Sequence, residues 1–117
     1  MRLESKKWLN DIHDAATKVR AFTEGRRPQE YATDSMMRAA VERMFGIMGE
    51  AMNRLRRDDS ETAGRITDWR QIIAFRNLLV HGYDEVDDAV VWDVIKNEVP
   101  RLLREVGALL RESTDPA

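Results

Sequence analysis

Four side chains able to do chemistry fall within eight residues: Arg76, Asn77, His81 and Tyr83. They offer a cation, an amide, an imidazole and a phenol. Asn77 and His81 are four apart, so on a helix they are neighbours. His81 stands just before Gly82, where the negative end of a helix dipole favours a cation. An imidazole so placed suits general acid or base work. Arg76 belongs to another stripe, among Trp69, Ile72, Ile73, Leu79 and Val80. An arginine there must be paired, face a cleft or interface, or reach water along its stem. The same residues also suit structural work, with His81 as a cap and Arg76 as half of an ion pair. Spacing alone favours the structural reading.

The elements that must carry these residues are helical. Leu3, Trp8, Ile12, Ala15, Ala16, Val19 and Phe22 recur near helical spacing up to Glu24-Gly25, with Pro28 as a stop. Residues 26–31 read as a loop. A second helix starts at Thr33 or Asp34, both good N-caps, and runs to about Arg57. Its apolar surface (Ala40, Met44, Ile47, Met48, Ala51 and Leu55, widened by Val41, Phe45 and Met52) calls for burial on two sides, one of them open to a partner chain. Gly46 and Gly49 each cost that helix about 1 kcal/mol relative to alanine, which a closely packed helix would explain. Residues 58–64 read as a second loop. The third helix begins near Thr67-Asp68 and ends at Gly82, a natural left-handed cap. After a turn at residues 83–87, Asp87 or Asp88 caps the last helical stretch. Pro100 predicts a kink or break near residues 97–99, and the tail frays from Ser113. No convincing strand alternation occurs. The expectation is an all-α, antiparallel bundle of four to five helices, one domain over residues 1–117.

Composition narrows the chemistry. There is no cysteine, which excludes disulfides, thiolate zinc sites and cysteine nucleophiles. With two histidines, a metal site has little support, and no cofactor is expected. Net charge is −2, so the broad basic surface that grips a long duplex is missing. Nucleic-acid contact must be local or built by two chains, and DNA is not an expected partner. No apolar run approaches membrane-spanning length, and Met1–Lys7 lacks a signal peptide's apolar stretch, so a cytoplasmic protein without membrane contact is expected. His13 reads as a helix-surface residue. Glu50 interrupts an apolar stretch and can pair with Arg76, Arg43 or Arg54, the last two at helical spacing to it and therefore favoured.

The segment Arg76-Asn77-Leu78-Leu79-Val80-His81-Gly82-Tyr83 resembles the R-x-x-x-x-H-x-Y signature of HepT-like toxins of the HEPN class. Residues 40–51 are similar to that family's second conserved helix, and residues 91–100 to its penultimate helix and proline. The resemblance implies a homodimeric, metal-independent endoribonuclease, the toxin of a toxin–antitoxin pair. The ribose 2′-OH would attack the adjacent phosphate, leaving a cyclic phosphate and a 5′-OH. His81 would move a proton, Arg76 would stabilise phosphoryl oxygens, and Asn77 would orient His81 or the phosphate. On one ideal helix Arg76 and His81 point about 140° apart, which a composite site at a two-fold cleft would reconcile. The resemblance also makes Tyr83 the AMP acceptor of a partner nucleotidyltransferase antitoxin. The rival readings are a non-catalytic HEPN module that binds RNA or nucleotide, and a purely structural dimerisation protein. An antitoxin-like role finds no nucleotidyltransferase motif.

Overall fold

The computed structural model describes residues 1–82 and 86–114, the latter without the Thr114 side chain. Among the described residues the chain is helical throughout, with no strand. The α-helices are α1 (Leu3–Thr23), α2 (Pro28–Thr33), α3 (Ser35–Asp58), α4 (Ser60–Ala63), α5 (Trp69–His81), α6 (Asp88–Asp93) and α7 (Val99–Thr114), with a π-helical turn, Val94–Glu98, joining the last two.

α1 runs antiparallel to α3. Near the start of α1, Ser5 Oγ donates to Asp59 Oδ2 (2.8 Å) and Trp8 Nε1 donates to Asp58 Oδ2 (2.9 Å), both acceptors lying at the end of α3. α5 packs on α3, and α7 packs on α1. The buried side chains form one core, with Leu9, Ile12 and Val19 of α1 joined to Val41, Met48, Met52 and Leu55 of α3 and Val99 and Val106 of α7. The apolar surface expected of the second helix is covered by α1 and α5 at Val41, Phe45, Met48, Ala51, Met52 and Leu55, and is only half-buried at Ala40, Met44 and Ile47.

Several local expectations change. Residues 26–31 are not all loop, because Pro28, read as a stop for α1, opens α2. Its fixed φ suits the first helical position, where its missing N–H costs nothing. Glu30 Oε1 accepts from the backbone N–H of Arg27 (3.0 Å), which closes that turn. α1 ends at Thr23, and Gly25 takes the positive φ (72°) that reverses the chain. Residues 58–64 hold a one-turn helix because Asp59 caps it, accepting from Thr62 N (3.2 Å) and Thr62 Oγ1 (2.7 Å). The cap of α3 is Asp34, whose Oδ1 accepts from Met37 N (3.0 Å). Asp87 caps α6 through Ala89 N (2.8 Å).

Gly82 is not left-handed. Its φ is −123° and its N–H still donates to Leu78 O (2.7 Å), so helical hydrogen bonding runs to the last residue without reversal. The disturbance expected before Pro100 is a π turn rather than a break. Val99 N donates to Val94 O, a wider closure that lets the helix pass a residue with no N–H of its own.

The start of α5 is tied to α7. Glu105 accepts from Thr67 N (2.9 Å) and Thr67 Oγ1 (2.6 Å). Asp68, left-handed at φ 58°, accepts from Arg101 Nη2 (2.9 Å). Arg65 and Glu112 add a bidentate pair at 2.8 and 2.7 Å. These bonds hold the helix that carries the signature residues.

Candidate functional site

α5 is the least embedded of the long helices. Of its thirteen residues only Leu79 is buried. Leu78 and Val80 are 39% and 50% exposed.

Arg76 sits where α5 crosses α3 most closely, and a glycine permits the crossing. A Cβ built on Gly49 would lie 2.2 Å from Arg76 Cβ and 2.7 Å from its Cγ. The expectation of close packing therefore holds at Gly49. It does not hold at Gly46, where a Cβ would meet nothing within 4 Å. The Arg76 side chain is 32% exposed. Its Nη1 donates to Asn77 Oδ1 (3.0 Å), and its Nη2 lies 3.9 Å from Glu50 Oε2.

Glu50 joins two cations. Its Oε1 accepts from Arg54 Nε (2.9 Å), the helical-spacing partner expected, while its other oxygen faces Arg76. The Arg54 hydrogen bond, against a smaller opposing desolvation, holds the Glu50 carboxyl below its usual range. Arg43, the other local candidate, makes no ion pair with Glu50.

These side chains border a groove of about 610 Å³ between α1, α3 and α5, whose walls include Arg43, Glu50, Arg54, Arg76 and Trp8. Lys7 and Asp11, which sequence reasoning left out, and Trp8, read there only as an apolar helix residue, come from α1. Their only signal was an exposed side next to an aromatic residue. A second, apolar hollow of about 250 Å³ lies on the other side of α5, between Phe45, Phe75 and Leu102.

Among the signature residues the structure brings Arg76 and Asn77 together. His81 is exposed in the last turn of α5, and no hydrogen bond links it to Arg76 or Asn77. Tyr83 lies outside the described residues. Among the described residues no three His, Asp or Glu side chains are gathered closely enough to hold a metal ion. Nor is any helix there long and apolar enough to cross a membrane.

An all-helical chain presenting an arginine and a histidine from one exposed helix fits the match to the family model for HepT-like ribonucleases, which covers residues 12–109. The chain belongs to the HepT-like ribonuclease family. It is 33% identical over 101 residues to "Putative RNase MJ1380" of Methanocaldococcus jannaschii, covering 86% of this chain and 92% of that one. It is 30% identical over 102 residues to "Probable ribonuclease HepT" of Thermococcus cleftensis, covering 87% and 92%. A longer protein of M. jannaschii, "Gamma-glutamylcyclotransferase and putative RNase MJ0434", is 28% identical over 112 residues, covering 96% of this chain and half of that one. No solved structure matches the chain.

Proposed function

We propose that the chain is a metal-independent endoribonuclease, the cytoplasmic toxin of a toxin–antitoxin pair, acting at a cleft between two copies. The observation that carries this reading is the placement of Arg76. The root of its side chain packs on Gly49, and its guanidinium bonds Asn77 and faces Glu50, yet opens on a groove. A planar cation fixed in that way is suited to two hydrogen bonds with a phosphate.

The ribose 2′-oxygen attacks the neighbouring phosphorus as its proton leaves. The P–O5′ bond breaks, and the leaving oxygen takes a proton. The products are a 2′,3′-cyclic phosphate and a 5′-OH. His81 serves in proton transfer, and Arg76 neutralises charge gathering on the non-bridging oxygens. Asn77, bonded to Arg76, keeps that guanidinium in register. His81 and Arg76 of one helix point apart, so the site takes one from each of two chains. The exposed apolar residues of α5, Leu78 and Val80, favour a second copy beside it.

Neutralisation follows from AMP transfer to Tyr83 by a cognate nucleotidyltransferase. In that reaction, carried out by the partner, the Tyr83 oxygen takes the α-phosphoryl group of ATP, pyrophosphate and the phenolic proton leave, and the chain gains bulk and negative charge that disfavour a phosphodiester substrate. A non-catalytic RNA-binding module is the rival. Incubation with RNA separates the two: cyclic-phosphate ends from the wild type and none from His81→Ala support the nuclease. Intact RNA with both proteins rejects it. Intact mass after co-expression with the partner tests the modification, which Tyr83→Phe must abolish.

A further inference from the structure

We infer that the groove between α1 and α3 holds the single-stranded RNA flanking the cleaved phosphate, with Trp8 as a stacking surface at its far end. The inference rests on the proposed ribonuclease reading for the position of that phosphate, at Arg76.

The groove follows α3 from Arg43 to Arg54, eleven residue steps or about 16 Å. Arg76 stands beside it at Glu50. Four cations line it, Lys7, Arg43, Arg54 and Arg76, against two carboxylates, Asp11 and Glu50. Both carboxylates are already engaged. Lys7 holds Asp11 at 3.3 Å, and Arg54 holds Glu50 at 2.9 Å. Arg43 makes no hydrogen bond or ion pair with any described residue. The groove is therefore locally basic on a chain whose net charge is −2. A local basic strip suits a short length of polyanion better than a duplex face.

Trp8 contributes the second feature. It is half-buried, its indole N–H is fixed on Asp58, and Arg54 and Lys7 lie 5.1 and 5.2 Å from its ring centre. Both cations sit over the ring, so a base stacks on the pinned indole by displacing one of these flexible side chains, whose charge then meets the adjoining phosphate.

Gly46 is the third. It costs α3 helix stability, yet no neighbour needs the space its missing side chain leaves. It lies on the groove wall. Its bare backbone keeps the channel open between Arg43 and Arg76. A protein segment rich in carboxylates would answer the charge but not the indole, so RNA is the occupant favoured.

The test is binding of a 2′-O-methyl oligoribonucleotide of about ten nucleotides, long enough for a groove of this kind and lacking the attacking hydroxyl. Fluorescence anisotropy is read across a salt series, with the wild type's cleavage of ordinary RNA measured in parallel. Gly46→Leu removes a helix-weakening glycine and fills the channel. We expect it to melt no lower than the wild type and to bind about tenfold more weakly. Arg43→Gln is expected to reduce the salt slope by about one. Gly46→Leu binding as tightly as the wild type overturns the groove. So does displacement of the RNA by polyglutamate as readily as by unlabelled RNA. If the wild type cleaves while Gly46→Leu binds normally, the groove fails and the nuclease stands. If Gly46→Leu loses binding while the wild type never cleaves, the groove stands and the nuclease fails.

Discussion

Gly49 and Arg76 touch across two helices with no room for a methyl group between them: the missing Cβ would stand 2.2 Å from the arginine's own Cβ. The obstacle is the root of the arginine side chain, which cannot swing away as its tip could. The guanidinium's place in the groove thus depends on a hydrogen atom at residue 49.

Two glycines three residues apart on α3 should consequently respond in opposite ways. Gly46→Ala meets nothing and should stabilise the protein by about 1 kcal/mol. Gly49→Ala gains the same propensity but forces α5 from α3, and overpacking of about 1–3 kcal/mol should leave it less stable. Its RNA cleavage should fall as Arg76 is displaced. Thermal melts of the two variants, side by side, decide this. Equal stabilisation of both would mean the crossing is looser than described.

Glu50→Gln should separate positioning from folding. The pairs that Glu50 makes are partly exposed, so stability should change by less than about 1 kcal/mol. The rate constant for cleavage should fall more than substrate affinity, because Arg76 loses its countercharge, and Glu50→Asp should restore part of it. Glu50 is held ionised below its usual value of 4.5 by Arg54, so its charge is lost only in stronger acid. Between pH 5 and 8 the shape of the rate profile should be the same in Glu50→Gln and in the wild type. A profile whose acid limb moves in the variant would contradict this.

Mixed dimers test the composite site. Arg76→Ala and His81→Ala chains should each be inactive alone. Mixed and allowed to exchange, half the dimers are hybrids and each hybrid has one intact site, so about a quarter of wild-type cleavage should return. No recovery, with exchange verified by mass, would place both residues of a site in one chain.

Tyr31 is fully buried in contact with Trp92, and its hydroxyl has no hydrogen-bond partner among the described residues. Tyr31→Phe should therefore be neutral or stabilising, by up to about 1–3 kcal/mol. Burial, reinforced by Glu42 and Asp88, raises the phenol's pKa above its usual 10. The folded state then keeps this proton where the unfolded chain releases it. That contribution to stability is complete below pH 10 and declines as pH rises past it. Alkaline melts should show the decline in the wild type and less of it in Tyr31→Phe.

How much of this was legible beforehand varies by residue. The helical character of α1, α3 and α5 followed from apolar spacing, because each buries a stripe against a neighbour. Asp34 and Asp87 were readable as caps, because a short carboxylate beside a helix start has one obvious use. α2 and α4 were not readable as helices. Four to six residues carry too little periodicity, and both turns depend on capping by Glu30 and Asp59 that only the folded chain brings about. The π turn before Pro100 was foreseen only as a disturbance, since a missing N–H says that a helix must adjust but not how.

For the site, the sequence by itself determined which groups are present: an arginine, an amide and an imidazole on one helix. Only the tertiary structure decided their company. It placed Arg76 against Gly49 and Glu50, left His81 exposed, and brought Lys7 and Trp8 from α1 to the same groove. The reason is physical. Spacing along a helix sets which direction a side chain faces, whereas what it meets there depends on how closely a second and a third helix can approach, and here a single missing methyl group sets that distance.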